Sequence, residues 1–230
     1  APNANVSVTG NGVPPSQPNV FEAEDGLFDG TYIRTQHTGY SGWGYADIND
    51  KSGASLEFVF KKETATTETV TIRFANGASS RSYQVLLNDN LLGTLNFPAT
   101  GSWTTWSTVT YQVAFSSGVS RLKFASTSNS ANANIDKIEL SGETATPMYK
   151  LVLAKSGAGT VSANLAGEFF EKGTAVTLTA QPEAGNMFYR WNGSDVSYVN
   201  PVIITMDGHK TEIALMNDTE YGLTASVYCN

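Results

Sequence analysis

The chain has almost no cysteine and almost no histidine. Cys229, next to the C-terminus, is the single cysteine of 230 residues, so no intrachain disulfide framework and no cysteine-paired zinc site is available. The two histidines, His37 and His209, have no nucleophile motif such as Gly-x-Ser-x-Gly beside them, which removes the ordinary Ser or Cys hydrolase arrangements. Long apolar runs are missing too. No stretch approaches the roughly 18 apolar residues of a membrane-crossing helix, and the N-terminus lacks the basic and apolar regions of a signal peptide; a soluble, already processed chain with no membrane partner is expected. Basic residues are scarce: 14 Lys and Arg stand against 21 Asp and Glu, a net charge of −7. That balance argues against nucleic acid, whose phosphates are met by clusters of Lys and Arg.

What is present is β-forming. Apolar residues make up 40% and aromatics 11%, with only 15% charged, and the remainder is rich in Ser, Thr, Asn and Gly, a composition suited to β-rich proteins outside the cell. Residues 1–19, "APNANVSVTGNGVPPSQPN", contain too few large apolar groups to offset the entropy of ordering and read as a linker. From Val20 the texture changes to short alternating runs: "SLEFVF" at 55–60, "TVTIRFA" at 69–75, "SYQVLLN" at 82–88, "TVTYQVAF" at 108–115, "SRLKFAS" at 120–126 and "NIDKIEL" at 134–140. Each reads as a strand, and turn signals such as "NG" at 76–77 and "NDN" at 88–90 separate them as in an antiparallel sandwich. "SGETATP", at 141–147, marks a second boundary, after which "MYKLVLAK", "GTVSA", "TAVTLTAQ", "MFYRWNG" and "PVIITMDG" repeat the pattern. Two all-β modules in tandem are expected, 20–142 and 148–217, joined by a linker at 143–147 and followed by a tail at 218–230.

"NVFEAED", at 19–25, places Glu22 and Glu24 two residues apart; on a strand both would face one side. A general acid and base, a cation cage and a solvated edge all fit that spacing. Asp136, in "NIDKIEL", lies in the last strand of the module, which becomes a neighbour of the first in many sandwiches. Three carboxylates far from any histidine suit calcium, which takes oxygen ligands at about 2.3–2.6 Å. A glycosidase would set two carboxyl groups about 5–9.5 Å apart in a cleft, an awkward demand on one strand at a module terminus. Residue chemistry alone favours calcium and leaves solvated acids and catalysis open.

The aromatics form a second constellation: Tyr40, Trp43 and Tyr45 in "GYSGWGY", and Trp103 and Trp106 in "GSWTTW". Sugar rings carry apolar C–H faces, so their sites join exposed aromatic rings to polar groups that fix hydroxyls. Trp43 and Trp103, flanked by Gly and Ser, are expected to be exposed, whereas Tyr45 and Trp106 enter alternating runs and are expected to pack in the core. His37 shares the long loop "TQHTGYSGWGY" and is open to ligand contact. His209, in "MDGHKT", reads as a turn residue. Trp191, in "YRWNG", reads as core rather than as a second sugar platform.

Taken in order, "VFEAED", "GYSGWGYADIND", "GASLEFVF", "TVTIRFANG", "LLGTLNFPATGSWTTWSTV" and "ANIDKIELSG" resemble the carbohydrate-binding modules of families 6 and 35, family 35 more closely. The resemblance covers residues 20–142. It implies an all-β jelly-roll sandwich with a structural calcium held by Glu22, Glu24 and Asp136, and a ligand site in the end loops built from Trp103, Asn134 and Tyr40 or Trp43, with Arg81 as a partner for a carboxylate or hydroxyl. Asp47, Asn49 and Asp50 are candidates for a second cation. Residues 148–217 resemble, more weakly, the small modules related to the internalin B repeat, which accompany catalytic domains in secreted bacterial enzymes. The expectation is therefore a non-catalytic, calcium-stabilised module that binds cell-wall polysaccharide, with a lean toward uronate-containing chains. It would be a monomeric part of a secreted, extracellular glycoside hydrolase or polysaccharide lyase whose catalytic domain is absent here. The alternative is a structural or adhesive spacer.

Overall fold

A computed structural model describes residues 19–48, 51–129 and 132–218. The expected N-terminal linker up to Pro18, Asn49, Asp50, Cys229 and nearly all of the expected tail lie outside the described residues. The chain divides after Ala145 into two compact units, with Val59–Lys61 grouped with the second.

In the first unit the strands are β1 (Val20–Glu22), β2 (Leu27–Asp29), β3 (Thr31–Arg34), β4 (Tyr45–Ile48), β5 (Ser55–Lys62), β6 (Thr66–Ala75), β7 (Arg81–Leu87), β8 (Asn90–Phe97), β9 (Trp106–Phe115), β10 (Gly118–Ser126) and β11 (Asn134–Leu140). One sheet runs β3-β4-β11-β6-β9 with β1 on β11; the facing one runs β5-β10-β7-β8 with β2 on β5. Together they make the all-β, jelly-roll sandwich. The first and last strands are neighbours: β1 pairs antiparallel with β11, Phe21 opposite Ile138.

Alternation explains which face goes inside. In β6, Glu68, Val70, Ile72 and Phe74 are buried, while Thr69, Thr71 and Arg73 between them are partly open, as a period of two requires. Phe74, Phe97 and Tyr83 pack edge-on at 4.8–5.0 Å between ring centroids. Each fully buried Phe contributes roughly 1.5–3 kcal/mol, so this group is a substantial part of an inner layer that also holds Phe58, Phe60 and Phe124. The β7–β8 hairpin turns through Asn88 and Asp89, both at positive φ (50° and 65°), which Asn and Asp tolerate better than other non-glycine residues.

"NG" at 76–77 closes no tight hairpin. Asn76 is fully buried; its side-chain amide donates to the carbonyls of Ser79 and Phe97 (both 3.0 Å), and its backbone N–H donates to Thr100 Oγ1 (2.9 Å). It thereby fastens the β6–β7 loop to the β8–β9 loop.

In the second unit, β12 (Ala145–Ser156) pairs in parallel with β18 (Lys210–Asp218), whose other edge carries β16 (Asn186–Gly193); β14 (Phe169–Glu171) also pairs with β12. A separate antiparallel sheet joins β13 (Gly159–Ala163), β15 (Ala175–Pro182) and β17 (Val202–Thr205). Trp191 sits in its core at 1% exposure among Tyr149, Leu178, Met206 and Met216, which excludes it as a sugar platform. β12 begins inside the segment read as a linker, because Asn19 holds that corner: its side chain donates to Gly142 O (2.7 Å) and accepts the N–H of Ala145 (2.8 Å).

Candidate functional site

The two glutamates do not share one strand. β1 ends at Glu22, and Ala23–Asp25 form a 3-10 turn, so the spacing argument fails locally although both acids still meet one loop. Four hydrogen-bond contacts, two of them sharing the Ser41 hydroxyl, tie that loop, residues 39–44, to the acids. Ser41 N–H donates to Asp136 Oδ1 (2.8 Å), the Ser41 hydroxyl lies 2.7 Å from Glu22 Oε2 and 3.0 Å from Asp136 Oδ2, and Trp43 N–H donates to Glu24 Oε1 (2.6 Å). Gly42, at φ +63°, leaves room for the Glu24 carboxyl; a Cβ there would lie 1.9 Å from Glu24 Oε1. Arg73, which sequence reasoning did not assign, reaches the cluster from β6: one guanidinium nitrogen donates to Asp136 Oδ2 and the other to Gly39 O (2.7 Å).

The electrostatics of the cluster are unbalanced. Burial pushes the Glu24 carboxyl up to about 7, against the opposing backbone hydrogen bonds and with added repulsion from Glu22 and Asp25. Burial also pushes Glu22 up, against its bond to Ser41. Glu24 Oε2 is buried with no hydrogen-bond partner among the described residues. A single Ser41 hydroxyl proton lies between Glu22 and Asp136, so one of those oxygens goes without it. These features fit an added cation. Yet no three Asp, Glu, His or Cys side chains gather as one metal-holding group among the described residues, and Asp136 is already engaged by Ser41 and Arg73.

The aromatic residues collect beside this cluster. Trp103, in the β8–β9 loop, lies nearly parallel to His37 (6.2 Å, 15°), and His37 nearly parallel to Tyr45 (5.9 Å, 22°). Tyr40 leans on Tyr45 at 5.7 Å, and Trp106 meets Tyr45 edge-on at 5.5 Å. Gly77 lets the Trp103 ring approach; a Cβ there would lie 2.7 Å from it. Tyr45 is fully buried, as expected. Trp106 is only half-buried, contrary to the core expectation. Its indole N–H donates to Thr38 O (2.9 Å) and the Arg73 guanidinium stands 5.1 Å from its ring, so it closes the loop end rather than filling the interior.

Asn134 opens β11 opposite Asp47 on β4 and Ala75 on β6, and Ala75 in turn pairs with Trp106 on β9. Paired residues of an antiparallel ladder project to the same face, so Asp47, Asn134 and Trp106 share one row. Asn134 itself is only 3% exposed. Trp43 is 57% exposed and stands outside the ring stack. Arg81, at the head of β7, bends back to its own loop, donating to Ser79 Oγ (2.5 Å) and Ser80 O (3.2 Å). His37, left open by the sequence, proves central to the stack; its only sequence signal was its place in the aromatic loop.

A family model described as "Carbohydrate binding module (family 6)" matches residues 22–142, more than half of the chain. The chain belongs to the family 6 carbohydrate-binding modules. The module is similar to a family 35 carbohydrate-binding module from an environmental isolate, at 34% identity and TM-score 0.52, over 56% of this chain and 96% of that one. It is also similar to a Xyl-CBM35 solved with a glucuronic-acid-containing disaccharide, at 28% identity and TM-score 0.51, over 56% and 96%. Among curated proteins it resembles an exo-β-D-glucosaminidase of Amycolatopsis orientalis (32% identity, 59% of this chain) and an endo-1,4-β-xylanase B of Cellvibrio japonicus (34%, 54% of this chain). The chain spans 13% and 21% of their lengths, respectively. Residues 149–224 match the model "Divergent InlB B-repeat domain".

Proposed function

We propose that residues 20–142 bind a cell-wall polysaccharide without cleaving it and hold an attached secreted enzyme near its substrate, where tethering raises effective concentration. The observation that carries this reading is the ring stack Trp103–His37–Tyr45 at the loop end, beside Asn134 as a polar group for hydroxyls. A uronate-containing chain is the favoured ligand, on the strength of the disaccharide bound by the similar Xyl-CBM35. Calcium is assigned to Glu22, Glu24 and Asp136 as a structural ion. Arg73 brings one positive charge to three carboxyl groups, and the ion would supply the rest, meeting the orphaned Glu24 oxygen. Its role here is to hold the loop at 39–44 against β1 and β11.

The test is calorimetric titration of the full chain with a glucuronic-acid-containing xylo-oligosaccharide and with its neutral counterpart, each with calcium and with chelator. Binding of the acidic sugar in calcium is the expected result. Absence of binding to both sugars would favour a spacer instead.

A further inference from the structure

The second unit carries an aromatic pair of its own. Against β18, Phe188 pairs with Met216 and Arg190 with Leu215, so Tyr189 is the extra residue of a β-bulge. Bulges re-aim side chains: Phe188 and Trp191 remain in contact at 5.7 Å on the core side, while Tyr189 stands 51% exposed.

Beyond β16 the backbones of Trp191 and Ser197 exchange hydrogen bonds (2.7 and 3.3 Å), closing a loop that brings Tyr198 edge-on to Tyr189, 6.2 Å between centroids at 87°. That loop is fastened at several points. Ser194 and Thr211 exchange two hydrogen bonds of 2.9 Å, Asp195 N–H donates to the buried Glu212 carboxyl (3.0 Å), and the Asp195 carboxylate pairs with Lys210 (2.9 Å). Asn200 brackets Ala180 through both its carbonyl and amide (2.9 and 2.8 Å). Tyr198 is nevertheless 65% exposed. Two adjoining rings this exposed, on a loop fastened at several points, present an apolar platform that a ligand can cover.

A cation accompanies the rings. The Arg190 guanidinium carbon lies 5.8 Å from the Tyr189 centroid, and Arg190 Nε is buried with no hydrogen-bond partner among the described residues.

We propose that Tyr189, Tyr198 and Arg190 form a second saccharide site that takes a uronic acid residue, its C–H face on a tyrosine ring and its carboxylate on the guanidinium. Tyrosine supplies an apolar face with a hydroxyl at the rim, and Arg pairs with carboxylates through a planar fork. Two rings and one cation suit a sugar residue better than a protein partner, whose stable interface buries roughly 1,200 Å² or more. This site shares no residue with the first and stands without it.

Full-length chain carrying Trp103→Ala is passed over immobilised glucuronoxylan and over the same polymer with its carboxyls reduced. Adding Tyr189→Ala or Tyr198→Ala should lower retention on glucuronoxylan by roughly 2- to 12-fold, the range for a lost aromatic contact. Tyr198→Phe should keep most of it, and melting curves should stay in place. Arg190→Gln should lower retention on glucuronoxylan and leave the reduced polymer unaffected. Unchanged retention in both tyrosine variants overturns the site, and an equal loss on both polymers in Arg190→Gln overturns the carboxylate assignment. A concentration-dependent dimer that Tyr198→Ala dissolves without altering retention overturns the saccharide in favour of a second copy of the chain. Failure of the first-unit reading is seen separately, as full affinity in Trp103→Ala alone.

Discussion

Lys62 Nζ lies 2.6 Å from Glu68 Oε1, and neither side chain reaches solvent. The pair also secures the backbone at the end of β11: Lys62 donates to Glu143 O, and Gly142 N–H donates to Glu68 Oε2 (3.1 Å). Lys62→Met strands a buried carboxylate and should destabilise the first unit by roughly 3–5 kcal/mol, whereas replacing both partners with apolar residues should recover much of that loss. Urea denaturation of the single and double variants measures the difference. Equal stability of wild type and Lys62→Met would show that the pair is not buried in solution.

Calcium should raise the melting temperature of the first unit, because an ion bound only to the folded state stabilises it by about 2.7 kcal/mol at a hundredfold excess over Kd. Glu24→Gln or Asp136→Asn should remove the difference between chelated and calcium-loaded protein. Scanning calorimetry reads this directly, and coincident melts of the wild type under both conditions would sink the calcium assignment.

Trp103→Ala and Asn134→Ala should each weaken polysaccharide binding by roughly 1–3 kcal/mol, for lost stacking and a lost polar contact respectively. Trp106→Ala should instead act on stability. A buried tryptophan would forfeit roughly 3–5 kcal/mol, but this half-exposed ring, tied to Thr38 and Arg73, should lose nearer the ordinary range of about 0.5–3 kcal/mol. Titration calorimetry and melts on the three proteins separate the two effects; unchanged affinity in both Trp103→Ala and Asn134→Ala would move the site elsewhere.

Glu212 gives the second unit a pH dependence of defined sign. Its side chain is fully buried, with one oxygen unpartnered among the described residues, and burial holds its carboxyl above the usual 4.5. Folding therefore favours the protonated form. That contribution is complete below about 4.5 and fades as pH rises through the higher folded value. Glu212→Gln keeps the acceptor for Asp195 and cannot ionise, so its melting temperature should fall less than that of the wild type between pH 4.5 and neutrality. Parallel curves for the two proteins would rule this out.

The β-sandwich was legible because several strands alternate with a period of two, as in β6, although β5, buried along nearly its whole length, reads as a continuous run. β8 was not: "NLLGTLNF" exposes Leu91 and Leu92 and buries only Leu95 and Phe97, so its pattern is masked until β7 pairs with it. The acids were found by composition and order, but their spacing misled, since a 3-10 turn at Ala23 carries no strong sequence signal. Arg73 and Lys62 drew no assignment from the sequence. Only the fold reveals that one reaches Asp136 and the other is entombed, because long side chains bury their stems and choose partners from other strands. His37 was legible as a loop residue and not as a ring in a stack, a relationship that depends on two loops about 65 residues apart converging.

Residues 37–43 are held at one end by rings and at the other by acids, with Arg73 touching Asp136, the carbonyl of Gly39 and the face of Trp106. Arg73 thus links the acidic end to the aromatic end through direct contacts. Thermodynamic reciprocity then applies. If calcium improves sugar affinity by some factor, the sugar must improve calcium affinity by the same factor, so the polysaccharide surface itself would act to retain the ion where ambient calcium is low.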